Sequence, residues 1–269
     1  MPAEFRQMAR KRFGQNFLRD PRIIERIVSA LRPEPGQHLV EIGPGQGAIT
    51  AHLMASGAQL TVVEIDRELA ALLPQQDWWK PETRLLECDA LKVDWNTLQP
   101  QPLRVVGNLP YNISTPLLFA LLSTQAQVQD LHLMLQKEVV QRLAASPGSE
   151  AWGRLSVAAQ LRARVEVLID VPPGAFWPAP KVQSQVIRVQ PLHPAPELPQ
   201  SLDALLRAAF SARRKTLRKA LGGQVQAELW EQIGIDPGLR AEVLDLQQWL
   251  RLGFAVDEAS GYTRVQEPS

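Results

Sequence analysis

A chain of 269 residues with 45% hydrophobic side chains has enough apolar material for one full domain core and a smaller one beside it. The longest apolar runs span only a few residues, which excludes a membrane-crossing helix, and a single cysteine excludes an internal disulfide framework and any all-cysteine zinc site. The formal net charge of +1 says little about partners, because it averages over two strongly basic clusters.

The first cluster, Arg6, Arg10, Lys11, Arg12 and Arg19, lies in the opening residues. No apolar stretch of a secretory signal accompanies it, so a cytoplasmic protein with no membrane partner is expected. Asp20-Pro21 pairs a capping carboxylate with proline at the first helical position and predicts a helix over 21–32. Residues 38–42, 59–65, 84–88, 103–107 and 131–135 then read as five strands separated by helical patterns, the signature of βαβ units and a parallel sheet. Their near-continuous apolar character suits burial on both faces. A helix is expected over 48–56, and Ser114-Thr115-Pro116 repeats the capping device of Asp20-Pro21. Runs at 165–169 and 185–189 close the sheet at seven strands. Between them, residues 171–180 form a proline-rich loop too long for a hairpin turn, and loops of that kind in compact domains are often functional. A second proline cluster over 191–199 sets the expected boundary between an α/β domain, 1–192, and a helical domain, 193–269, whose helices run to about Phe254. The second basic cluster lies in that tail: Arg207, Arg213, Arg214, Lys215, Arg218 and Lys219, with no acidic residue among them. A solvated face is one reading of such clusters and nucleic-acid contact the other. The four histidines are scattered, and no metal site is expected.

The first of the five strands ends in Glu41-Ile42-Gly43-Pro44-Gly45-Gln46-Gly47. Gly43 and Gly45 permit positive φ and close approach of a ligand to the backbone, at the sheet edge where open α/β folds bind ligands. The spacing is G-x-G-x-G rather than G-x-G-x-x-G, and Pro44 removes an N–H that a pyrophosphate would take. A nucleoside-like ligand without phosphates is therefore expected. Glu64, near the end of the second strand, is suited to accept from two ribose hydroxyls, and Asp89, just past the third, from an adenine amine. Adenosine bearing a non-phosphate substituent fits, which makes S-adenosylmethionine the expected cofactor. For the glycines alone, a tight structural turn is the alternative. Cys88 reads as a buried strand thiol.

After the fourth strand comes Asn108-Leu109-Pro110-Tyr111. An exocyclic aromatic amine is a poor nucleophile because its lone pair is delocalised into the ring. Acceptors for both of its N–H groups favour localisation on nitrogen, and the side-chain oxygen of Asn108 and the backbone carbonyl of Leu109 can supply them. Pro110 stiffens the turn, and Tyr111 offers a ring on which a base can stack. No general base is evident and none is required, since a methylated ammonium on adenine gives up its proton to water; positioning is the main task. Cys88 lacks the neighbouring base of a covalent catalyst. A capped turn before the next helix is a second reading of this segment, compatible with the first.

With these residues in place, the chain resembles the KsgA/RsmA family of ribosomal RNA adenine dimethyltransferases over nearly its whole length. Residues 11–18, Lys-Arg-Phe-Gly-Gln-Asn-Phe-Leu, are similar to the family's N-terminal cofactor-covering motif, which implies contacts from Asn16 and Leu18 to S-adenosylmethionine. Gly43, Glu64, Asp89 and Asn108 fall on the other cofactor positions, with Gly45 beside them in the glycine turn. Phe176 opens a stretch similar to the family's second aromatic element, which implies that its ring covers the other face of an extruded adenine. Residues 213–218 and 234–242 resemble the helical domain of the small-subunit enzymes, with Arg10, Lys11, Arg12, Arg213, Arg214, Lys215 and Arg218 as expected RNA contacts. The resemblance implies a Rossmann-like, seven-stranded class I methyltransferase sheet with a small C-terminal all-helical domain. It further implies a monomer that transfers four methyl groups to N6 of two adjacent adenosines in the 3′-terminal hairpin loop of 16S rRNA within the immature 30S subunit. Erythromycin-resistance methylases act on large-subunit RNA and share the cofactor and N-x-P-Y features; the tail favours the small-subunit enzyme. An assembly or transcription factor that kept RNA binding and lost catalysis is the other alternative, against which Glu64, Asp89 and Asn108 count. Gln46 and Trp177 read as variable positions.

Overall fold

The computed structural model describes residues 16–110 and 113–261, which divide into two compact units: those up to 140 with 163–191, and 141–162 with those from 192 on. The first unit begins with β1 (Phe17–Leu18) and α1 (Pro21–Leu31). Asp20 accepts from the Arg22 N–H at 2.9 Å and Pro21 takes the first helical position, as the sequence predicts. Ile23, Ile24, Ile27 and Leu31 recur at helical spacing and bury one face.

Alternation follows: β2 (His38–Ile42), α2 (Thr50–Ala55), β3 (Gln59–Glu64), α3 (Arg67–Leu72), β4 (Arg84–Glu87), β5 (Leu103–Asn108), α4 (Ser114–Ser123) and β6 (Val128–Gln136). After α5 (Lys137–Leu143) and α6 (Arg154–Gln160) come β7 (Ala163–Val171), β8 (Phe176–Trp177) and β9 (Ser184–Pro191). The seven-stranded sheet has the order β4-β3-β2-β5-β6-β9-β7. Strands β4 to β6 run parallel, and β9 runs antiparallel to both β6 and β7. The chain winds outward from β2 to β4 and then returns to the other side of β2, so the order reverses between β2 and β5. Such a reversal leaves a crevice outside the carboxyl ends of the two strands.

The amino ends of the strands are fastened by charge. Arg104 makes paired hydrogen bonds to Asp130 at 2.9 and 3.0 Å and donates to the carbonyl of Leu31 at 2.7 Å, while Arg188 reaches the same carboxylate at 3.2 Å. Arg104 and Asp130 are buried, so loss of one partner would leave the other uncompensated. One local expectation is corrected here. Ser114 is the first residue of α4 rather than its cap, Ile113 stands at the cap position with no side-chain bond, and Pro116 falls in the first turn, where backbone N–H groups lack helical partners anyway.

The second unit contains α6, α7 (Leu202–Ser211), α8 (Leu217–Leu221), α9 (Ala227–Ile233) and α10 (Leu246–Ala259). Its core gathers Trp152, Val157, Leu205, Leu206, Leu217, Trp249 and Leu252. The expected boundary therefore needs an amendment: the chain crosses near 191, but residues 141–162 also belong to the helical unit. The cause is Trp152, fully buried with its Nε1–H donating to the Leu244 carbonyl at 3.1 Å, together with Val157 and Leu161 on α6 and its end. Asp245 and Gln248 cap α10 reciprocally at 2.8 and 2.9 Å. Among the described residues no helix is long and apolar enough to cross a membrane.

Candidate active site

A cleft of about 340 Å³ opens at the carboxyl ends of β2, β3 and β5, on the side where the strand order reverses. That volume lies within the range of small-molecule sites. Its wall brings together Asn16, Leu18, Gly43, Gly45, Glu64, Asp89, Asn108, Leu109, Pro110 and Phe176, which the sequence singles out from six separate stretches of chain. Tyr111 and the basic residues Arg10, Lys11 and Arg12 lie outside the described residues.

The glycine turn is shaped by close approach. Gly45 has φ +57°, and a Cβ there would stand 2.9 Å from the Phe17 ring. Gly47 has φ +80°, and a Cβ there would meet the Trp78 indole at 2.4 Å. Both positions thus exclude other residues on conformational and steric grounds.

Glu64 ends β3 and is 4% exposed; its Oε1 accepts from the Asp66 N–H at 2.8 Å. Burial raises its pKa to about 7, the Asp66 N–H opposing and the Asp66 charge adding to the effect. Glu41, which the sequence reading treated only as the start of the glycine turn, is a further carboxyl on the wall. Burial raises it to about 8, the nearby Thr50 hydroxyl opposing and the charge of Glu64 adding to the effect, and its Oε2 has no hydrogen-bond partner among the described residues. Asp89 caps a short 3-10 turn, accepting from the Leu91 N–H at 3.0 Å. Cys88 is not a buried strand thiol: it lies one residue beyond β4, half-buried, on the cleft wall.

Asn108 ends β5, and its Nδ2 donates one N–H to the backbone carbonyl of Asn16 at 3.1 Å, which orients the amide; Oδ1 is its acceptor side. Leu109 is buried, its N–H donating to Met134 at 3.3 Å, and Ile113 N–H closes a turn onto the Pro110 carbonyl at 3.1 Å. A two-residue ladder, unforeseen in the sequence, joins the N-terminal motif to the proline-rich loop: Phe17 pairs with Trp177 and Leu18 with Phe176. The Arg19 N–H extends it, donating to Ala175 at 2.8 Å. This ladder is what sets Asn16 and Phe176 into one cleft.

The wall carries three carboxyl groups, several apolar side chains and, among the described residues, no lysine or arginine. A phosphate would be repelled there, whereas an adenosine whose substituent carries positive charge is matched in both shape and sign. No cluster among the described residues can hold a metal ion.

In the helical unit the basic cluster is less uniform than its sequence. Arg213 is engaged within the fold: its Nε lies 2.9 Å from Glu242, and its guanidinium also meets the Glu150 carbonyl. Arg207 pairs with Asp203 at 2.6 Å. Arg214, Lys215, Arg218 and Lys219 are exposed.

Residues 6–256 match the family model described as ribosomal RNA adenine dimethylase. The chain is 54% identical over 249 residues to the ribosomal RNA small subunit methyltransferase A of Marinobacter nauticus, covering 91% of this chain and 90% of that one. It is 50% identical to the protein of the same name from Pseudomonas syringae pv. tomato, covering 96% and 98%. Among solved structures, a dimethyladenosine transferase from Plasmodium falciparum superposes with a TM-score of 0.76 at 24% identity, covering 91% of this chain and 98% of that one. The 23S rRNA methyltransferase ErmE does so with 0.70 at 24%, covering 90% and 100%. The two structures share the fold; the matches of sequence carry more, and with the cleft they establish that this chain is a methyltransferase belonging to the ribosomal RNA adenine dimethylase family.

Proposed function

We propose that the protein transfers methyl groups from S-adenosylmethionine to N6 of two adjacent adenosines in the 3′-terminal hairpin loop of 16S rRNA, acting as a cytoplasmic monomer on the immature 30S subunit. The observation that carries this reading is the placement of Asn108, Leu109 and Pro110 at the edge of a carboxyl-lined cleft that Phe176 also lines and that, among the described residues, holds no lysine or arginine. S-adenosylmethionine, when bound, supplies an electrophilic methyl group. Glu64 and Asp89 would hold its ribose and adenine by charge-assisted hydrogen bonds, and Asn16, Leu18 and the turn at Gly43 and Gly45 would cover it. Asn108, its amide oriented by the bond to Asn16, offers Oδ1 to the target amine, and the Leu109 carbonyl offers a second acceptor. Two acceptors favour the pyramidal amine that attacks, and Phe176 excludes water and fixes one face of the base. Tyr111 is assigned the other face on its sequence motif alone. The exposed Arg214, Lys215 and Arg218 of the helical unit, with Arg10, Lys11 and Arg12, are the proposed phosphate contacts.

The names of the relatives at 50–54% identity favour the small-subunit substrate over the large-subunit one, which the shared fold leaves open. Transfer of labelled methyl groups to 30S particles purified from cells lacking this modification, set against naked 23S RNA, tests the choice. Four methyl groups per 30S particle and none on 23S RNA are expected. The reverse preference would overturn the substrate assignment.

A further inference from the structure

The two residues of β8 face opposite ways, as strand residues must. Phe176 is 6% exposed and lines the cleft, whereas Trp177 is 39% exposed. A lone exposed apolar side chain needs no explanation by itself. This one is backed by a cation: the Arg19 guanidinium carbon lies 4.7 Å from the centroid of the Trp177 ring. Arg19 is held at the junction of β1 and α1 by its own N–H to Ala175 at 2.8 Å. Its Nε and Nη2 are shielded from solvent and have no hydrogen-bond partner among the described residues. The neighbouring carboxylate of Asp20 is committed to capping α1. Among the described residues the guanidinium therefore meets the indole rather than an acid, and it braces the ring with positive charge behind it.

We propose that Trp177, braced by Arg19, is a stacking platform for the nucleobase next to the extruded adenosine on the same RNA strand. This inference rests on the rRNA reading above. The occupant follows from position and chemistry. Trp177 follows Phe176 directly in β8, about 3.8 Å away at Cα, and its ring is exposed outside the cleft that Phe176 lines, within reach of the strand neighbour of a base held against Phe176. An aromatic plate with a cation behind it suits the π-face of a base carried on a phosphate chain. For a substrate with two adjacent target adenosines, the platform holds one while the other reacts.

Steady-state kinetics on unmodified 30S particles test this with Trp177→Ala, Trp177→Leu and Trp177→Phe, alongside calorimetry of S-adenosylmethionine binding. Leu keeps apolar bulk over Arg19 but removes the aromatic face. Ala and Leu should each raise KM for the particle about 5- to 100-fold, with kcat and cofactor Kd within about threefold of the parent. Phe should bring KM back to within about threefold. A KM unmoved in Ala and Leu overturns the platform while leaving the rRNA reading intact. So does a Leu variant that behaves like Phe, or a cofactor Kd that weakens in step with KM, since Trp177 would then only secure β1. A parent protein inert on 30S particles overturns the rRNA reading and the platform with it.

Discussion

Replacing Glu64 by Gln should move stability and cofactor affinity in opposite directions. Gln keeps an acceptor for the Asp66 N–H, held at 2.8 Å in the parent, and removes the charge. Burial raises the Glu64 pKa from 4.5 to about 7, so folding takes up a proton between those values. Below the lower value the carboxyl is neutral in both states and costs nothing. Above the higher value it is ionised in both, and the fold carries the full cost of the buried charge, about 3 kcal/mol at roughly 1.4 kcal/mol per pH unit. At pH 8 the variant should gain about that amount, roughly 5–10 °C in Tm for a chain of this size, and at pH 5 less than about 1 kcal/mol. The ligand's hydroxyls require the ionised form, so the same variant should bind S-adenosylmethionine more weakly by about 1.5–3 kcal/mol, or roughly 10- to 150-fold. Parent affinity should strengthen from pH 6 to 8 and then level, while the variant stays flat. Thermal melts at both pH values and calorimetry across the range read each term. Equal Tm gains at pH 5 and 8, or an unchanged Kd at pH 8, would refute the assignment of a buried, ligand-facing carboxylate.

Asn108→Ala should lower the single-turnover rate at saturating S-adenosylmethionine by about 10²–10³, by analogy with loss of one oxyanion-hole donor, and a parent-like rate would remove the amide from the chemistry. Arg214→Ala with Lys215→Ala should flatten the salt dependence of 30S binding without changing cofactor Kd; an unaltered slope would return these residues to a merely solvated face. Arg213→Ala should instead lower stability by about 1 kcal/mol, because its partners are Glu242 and backbone carbonyls, and denaturant titration reads this directly. Trp152→Ala should cost about 3–5 kcal/mol as a fully buried indole is lost, and a smaller effect would argue against its place in the helical core.

Much of the site was legible because its elements carry short-range signals. The central strands β2, β3, β5 and β6 are mostly buried and so read as apolar runs, whereas β4 and β7 at the sheet edges are partly exposed, and Glu64, Asp89 and Asn108 stand at or just past strand ends where chain order alone places them on one edge. What escaped depends on contacts distant in sequence. A two-residue strand has no periodicity, so the pairing of Phe17 with Trp177 was invisible even though both flanking motifs were recognised. Prolines flagged the crossing near 191, but the membership of 141–162 in the helical unit rests on Trp152 meeting Leu244, 92 residues away. Arg213 lost its apparent freedom to Glu242, 29 residues on, and the Arg104–Asp130 pair likewise joins different strands. Glu41 was readable as a carboxyl in an apolar strand, yet only the fold shows that its Oε2 has no hydrogen-bond partner among the described residues.

The most direct measurement is mass spectrometry of nucleosides and RNase fragments from unmodified 30S particles incubated with the protein and S-adenosylmethionine. The expected result is N6,N6-dimethyladenosine at two adjacent positions in one fragment near the 3′ end of 16S rRNA, absent when Asn108→Ala replaces the parent protein. Methylation at another atom or on another RNA, or no methylation by a folded protein that binds the cofactor, would contradict it.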